Sequence, residues 1–173
     1  MVAVVNQPTN TNFLSPIGFR LTIKKTPTMN YFVQSVNIPS VSLGGEPVDT
    51  PFSRIPIPGT RLTFGQLRVT FKVDEDLGNY QEIYTWLNEI GFPDNFAQFG
   101  NIAQYPIQTG QGVYSDINLT LMTSGMNPNY DITFRDAYPV DLSDITLDST
   151  ATSVDYVTAT ATFVYRKFDL LNV

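Results

Sequence analysis

Asp74-Glu75-Asp76 is the run of carboxylates dense enough to suggest a metal site or acid/base work, and Asp141, Asp144 and Asp148 are spaced like a ligand set. Each has a simpler reading. The first run lies between an alternating strand pattern and a helix start, where a helix N-terminus favours each negative charge by about 0.3–1 kcal/mol. The second lacks the central glycine of a calcium-binding loop. Asn118-Leu119-Thr120 matches the glycosylation tripeptide but falls inside a predicted strand. Tyr84 and Trp86 have the rings to stack on a base or sugar, yet they belong to a helical hydrophobic repeat that assigns them to a core. The sequence holds no histidine and no cysteine. That removes thiol nucleophiles, Ser-His-Asp and Cys-His catalysis and the common zinc sites. A pair of carboxylates would have to do all acid/base work, and no pair here implies a cleft. The residues therefore predict no enzyme, no cofactor and no metal.

Two features point to assembly instead. Thr158, Thr160 and Thr162 form an uncharged polar face on a long predicted strand, suited to a wet wall or to an extended sheet. Residues 39–59 are rich in proline and glycine, yet they carry Val48, Phe52, Ile55 and Ile57 around Arg54. A solvated loop would not normally expose so much apolar surface. These five residues are the candidate subunit contacts, and the threonines are the candidate wall of a channel. Removing residues 47–58 is expected to leave a soluble chain that no longer polymerises.

The elements that must position these residues follow from size and pattern. A chain of 173 residues with 42% hydrophobic and 15% charged residues is one sparingly charged globular domain. Its net charge of −6 is a poor footprint for gripping phosphate backbones. Val2 to Val5 is far too short for a signal-peptide core, and no stretch approaches the roughly 20 apolar residues of a membrane span, so the expectation is a soluble chain without export. Residues 1–16 read as an N-terminal arm and 17–173 as the domain. Strands are predicted from the alternation at Gly18 to Lys24 and at Gln66 to Asp74, and over Tyr31 to Ile38 with a bulge near Gln34 and Ser35. A single flanking helix over about 79–90 starts at Asn79, with Glu82 as capping-box acid, and stops at Gly91. Residues 93–112 read as a long loop pinned by Phe96, Phe99 and Tyr105. A hairpin over 114–135 follows, then an acidic connection opening at Ala137-Tyr138-Pro139, and one long strand from Val154 to Phe168.

The order of these motifs is specific. VQSVNIPSVSLGG, then IPIPGTRLTFGQLRVTFKVDEDLGNYQEIYTWLNEIG, then DAYPVDLSDITLDS and VDYVTATATFVYRKFDL together resemble the tail tube proteins of contractile-tailed bacteriophages, over about residues 17–170. The resemblance implies a mainly β fold, a β-sandwich or half-barrel with one flanking α-helix, related to the ring-forming proteins of type VI secretion. It also implies a structural virion protein, assembled in the host cytoplasm. Six copies would make a ring, and stacked rings a tail tube meeting sheath, baseplate and neck proteins, through which DNA passes without specific binding. Acidic and neutral polar side chains are expected to line such a bore, since basic ones would hold DNA by counterion release. The alternatives are a tube initiator or terminator with the same fold and, from another class, a carbohydrate- or calcium-binding β-sandwich module.

Overall fold

The computed structural model describes residues 11–91, 97, 100, 104, 112–150 and 155–172. The elements in chain order are β1 (Phe19–Ile23), α1 (Pro27–Tyr31), β2 (Val33–Val36), β3 (Val41–Asp49), β4 (Arg54–Phe64), β5 (Leu67–Lys72), α2 (Gly78–Gly91), β6 (Ser115–Met122), β7 (Pro128–Leu142), β8 (Thr158–Val164) and β9 (Lys167–Asn172). All strand pairing is antiparallel. The path runs β1-β6-β7-β8-β5-β2, with β9 also on β7, while β3 and β4 pair only with each other.

β7 belongs to two layers. Its residues 130–135 pair with β9, and Tyr138–Leu142 pair with β8. Between them Asp136 has φ 54°, a left-handed conformation uncommon for a residue with a Cβ, and the strand turns there. The first sheet is thus β1, β6, the early part of β7 and β9; the second is the late part of β7, β8, β5 and β2. Alternation supplies the core from both. Leu21, Ile23, Ile117, Leu119, Ile132 and Phe134 face inward from the first sheet, and Leu67, Val69, Phe71, Ala159, Ala161 and Phe163 from the second. The path is not closed: β1 and β2 are its two ends, separated by a cleft lined by Phe19, Val36, Ile38 and Leu119.

α2 packs Ile83 and Trp86 into this core. The Trp86 ring lies 6.1 Å from that of Phe163, its indole N–H donates to the Val113 carbonyl at 3.1 Å, and the Lys25 ammonium sits 5.2 Å above it. Trp86 is therefore a core residue, as its periodicity requires, whereas Tyr84 is about half exposed and lies on the solvent side.

Several boundaries differ from the sequence reading. The expected single helix is accompanied by the five-residue α1, which uses Pro27 at its first turn, where a missing N–H costs nothing. Asn79 is inside α2 and caps nothing; its side chain accepts from the Asp74 N–H and donates to the Lys72 carbonyl, tying helix to strand. The Glu82 carboxylate does not serve α2 either, but accepts the N–H groups of Thr28 and Met29 at 3.2 Å, at the start of α1. The hairpin's second strand runs on to Leu142, absorbing Ala137-Tyr138-Pro139. The single late strand is two: the chain crosses from the second sheet to the first at Tyr165 and Arg166, where the Arg166 N–H donates to the Arg135 carbonyl. The bulge near Gln34 and Ser35 is present as a register shift between Val33 and Ser35. The aromatic-pinned segment falls mostly, and residues 1–10 of the arm expected over 1–16 wholly, outside the described residues.

Candidate assembly surfaces

The proline-rich segment, read from sequence as an irregular excursion, is an arm of two strands. Pro47 faces Pro56 across the ribbon, and Pro58 lies two residues from Pro56. A two-stranded ribbon consists of edges, so alternate backbone nitrogens point away from the partner and prolines at that parity lose no ladder bond. Every arm residue except Thr50, Gly59 and Phe64 is exposed, and among the described residues the arm's side-chain packing on the body is at its root. There Phe64 meets Phe168 and Tyr165 at 5.6 and 6.1 Å, and the Tyr165 hydroxyl donates to the Gly65 carbonyl at 2.9 Å. Midway the register shifts between Leu43 and Gly45, and a Cβ on Gly59 would overlap the Gly44 carbonyl, so the crossing requires glycine.

Register sorts the arm's side chains. Val48 pairs with Ile55 and Glu46 with Ile57, which places Val48, Ile55 and Ile57 on one face toward the tip. Val41 with Phe64 and Leu43 with Leu62 alternate onto the opposite face toward the root. The predicted contacts are thus divided. Val48, Ile55 and Ile57 stand together, and Arg54 lies on the other face, paired with Asp49 at 2.8 Å in a solvent-exposed bridge worth little to stability. Phe52 is at the tip, 99% exposed. Its turn is fixed by the Thr50 N–H donating to the Ser53 carbonyl and the Ser53 N–H donating to the Thr50 hydroxyl, at 2.9 and 3.1 Å.

The threonine face is on β8, the second sheet's outer side. Thr158 and Thr160 point outward, while Thr162 is buried, so two of the three threonines predicted to form one polar face present it. Thr70 of β5 lies opposite Thr160, hydroxyl to hydroxyl at 3.1 Å, and the neighbouring pairs are Lys72 with Thr158 and Arg68 with Thr162. On its other side Thr162 pairs with Asp141. The charges beside the threonines are therefore Arg68, Lys72 and Asp141, an arrangement created by cross-strand pairing. The outer side of the first sheet is ion-paired instead: Arg135 bridges Asp116 and Asp169 at 3.1 and 3.6 Å, and Lys167 reaches Asp169 at 3.0 Å. The Lys167 hydrogen bond, aided by Arg135, holds the Asp169 carboxyl below its usual range.

The acids first singled out do structural work. Asp74-Glu75-Asp76 forms the turn before α2, in which the Leu77 N–H donates to the Asp74 carbonyl at 2.9 Å. Asp141 is on β7, and Asp148 accepts from the backbone and hydroxyl of Thr150, which lowers its pKa. Lys25 is pushed down by burial, against the opposing pull of Glu89 at 3.1 Å.

The arm's root contains a titratable contact. Burial raises the Tyr165 pKa above its ordinary value of 10. An acid whose folded pKa is raised contributes stability below its unfolded pKa and loses it as pH rises through the folded one. Tyr165→Phe is accordingly expected to cost about 1 kcal/mol for the lost hydrogen bond. It should also flatten the decline in melting temperature above pH 10, which thermal scans across that range check.

Comparison with known proteins agrees with this architecture. The profile of the family described as phage tail tube protein matches residues 4–171. No curated protein matches the chain. Among solved structures, the tube-terminating cap of the anti-feeding prophage is similar at TM-score 0.62 and 11% identity, over 100% of both chains. A chain of the extended sheath-tube complex of an extracellular contractile injection system, PVC, is similar at TM-score 0.58 and 15% identity, over 98% of this chain and 95% of that one. A chain of the PVC sheath/tube terminator gives TM-score 0.59 and 14% identity, over 94% and 99%. At such identities these likenesses establish the fold, whereas the profile spans almost the whole sequence: the chain belongs to the phage tail tube protein family, a family of structural proteins and not of enzymes.

Proposed function

We propose that copies of this chain join into rings, six to a ring, that stack into the inner tube of a contractile phage tail and let DNA pass. The observation that carries this reading is the arm, whose apolar residues lie on both faces and, Phe64 at the root aside, stay exposed among the described residues. The open strand path supports it: among the described residues β1 and β2 end the path with no strand beyond them, and sharing such margins between copies removes them. The threonine face is the candidate bore wall. Its charges are Arg68 and Lys72 against the single Asp141, so this face lacks the acidic excess expected from the sequence, and most carboxylates of the sheets lie on the ion-paired outer side of the first. Its hydroxyls offer DNA no counterion-releasing contact, and the two bases beside them are few enough for passage without specific binding. Sheath, baseplate and neck proteins are the proposed partners outside the tube.

Electron microscopy of the purified protein tests the reading: hollow rings or filaments are expected, and monodisperse single chains would refute it. The bore assignment has its own check. A bulky maleimide label on Thr160→Cys should add density inside the hole; density on the outer surface would move the wall to another face. A second reading, an end protein of the tube, is favoured by the similarity to a tube-terminating cap. A main subunit stacks on itself without limit, whereas an end protein stops at one ring, and filament length separates the two.

A further inference from the structure

The arm continues a ladder of the body. Val36 of β2 pairs with Val69 of β5, and farther out Val41 of β3 pairs with Phe64 of β4, with equal numbers of residues between them on the two strands, so body and arm share one register. The join lies at residues 37–40 and 65–68. Pro39 is buried there and has no N–H to offer the Gln66 carbonyl. The Asn37 side chain stands in for it. Its amide donates to the Gln66 carbonyl at 3.1 Å and its oxygen accepts the Arg68 N–H, while the Asn37 backbone N–H reaches the Arg68 carbonyl at 3.3 Å. One step outward, Gly65 breaks the parity. In a regular ladder a residue's N–H and carbonyl point to the same neighbour, but the Gly65 N–H donates to Ser40 of the arm's other strand at 2.8 Å and its carbonyl accepts from the Tyr165 hydroxyl of the body. A Cβ on Gly65 would lie 2.8 Å from the Ser40 hydroxyl, inside van der Waals contact, so this close approach calls for glycine.

We infer, on the reading that the arm is an assembly element, that Asn37 and Gly65 are positioning residues: they hold the arm at one angle in the free chain, so that it meets other copies already aimed. The geometry makes the angle consequential. β3 has 9 residues, about 30 Å at roughly 3.3 Å per residue, so a tilt of about 10° at the root moves the tip by about 5 Å. Close-packed contacts keep their geometry within about 0.5 Å, so an arm tilted that far no longer fits. The root sets the angle without a partner, because every one of its hydrogen bonds is made inside one chain. An arm whose direction is fixed beforehand also loses little ordering entropy on association.

The chain has no native cysteine, so Phe52→Cys at the tip and Tyr84→Cys on the solvent side of α2, both exposed positions, take a pair of dyes without competition. Single-molecule energy transfer, at concentrations too low for copies to associate, then reads the arm's angle in the full-length chain. One narrow distance population is expected. Asn37→Ala should lose it and give a broad one, whereas Gly65→Val should shift it, because bulk at that point re-aims the arm. Both variants should keep the parental melting temperature and lose tube formation in negative-stain images. A broad population in the parent, or populations unchanged in both variants, would overturn the inference. Variants that lose the angle yet form tubes of normal length would overturn it too, leaving the tube reading in place. A parent that holds its angle but forms neither rings nor filaments would overturn the tube reading, with the fixed angle standing.

Discussion

A chain lacking residues 47–58 is expected to fold, to melt within about 1 °C of the parent, and to form no tubes at all. The first half of that expectation follows from exposure: residues 47–58 are exposed apart from Thr50 among the described residues, and changes to such surface usually shift stability by less than about 0.5 kcal/mol. The second half follows from what the deletion removes, namely the Val48, Ile55 and Ile57 face together with Phe52. Interface energy concentrates in a few buried aromatic and aliphatic anchors, so losing all of them at once is not compensated by the remaining rim. Sedimentation and negative-stain microscopy read the outcome. Tubes of normal length from the shortened chain would show that the arm is not an assembly element.

Trp86→Ala is expected to cost about 3–5 kcal/mol, the usual range for emptying a large aromatic site in a core. Trp86 has no exposed surface and joins α2 to β8 through Phe163, and its indole N–H satisfies the Val113 carbonyl. For a domain of this size that loss lowers the melting temperature by roughly 6–20 °C. Trp86 is the sequence's lone tryptophan. Far-ultraviolet circular dichroism, which does not depend on that fluorophore, is the appropriate measurement. A drop of less than about 1 kcal/mol would mean that the side chain is not a keystone of the core.

What sequence could disclose depended on whether a pattern was local. β5 was legible because Leu67, Val69 and Phe71 alternate without error, and α2 because Ile83, Leu87 and Ile90 recur at helical spacing. The arm was not legible as strands, because prolines normally veto a ladder; only the register shows Pro47 opposite Pro56, on the edge side of a ribbon. The crossing at Tyr165 and Arg166 did leave a local trace, since the inward parity is odd through Tyr165 and becomes even at Phe168 after two basic residues, but the Arg135 carbonyl that takes the Arg166 N–H lies on another layer. Asn79 and Glu82 carried a cap's chemistry at a cap's spacing, but tertiary neighbours took their hydrogen bonds. For the assembly surfaces, Thr158 and Thr160 were visible as one face and Val48, Phe52, Ile55 and Ile57 as excess apolar surface. Arg68 and Lys72 beside those threonines depend on contacts between distant segments that no local pattern encodes.

β7 has a mechanical consequence. It is bonded to β6, β8 and β9, so neither layer can slide off the other without breaking ladders on both sides of the strand. A shearing load between the two layers would meet those bonds many at a time instead of peeling them singly. The shared strand thus acts as a spar, stiffening each subunit against slippage of one layer over the other.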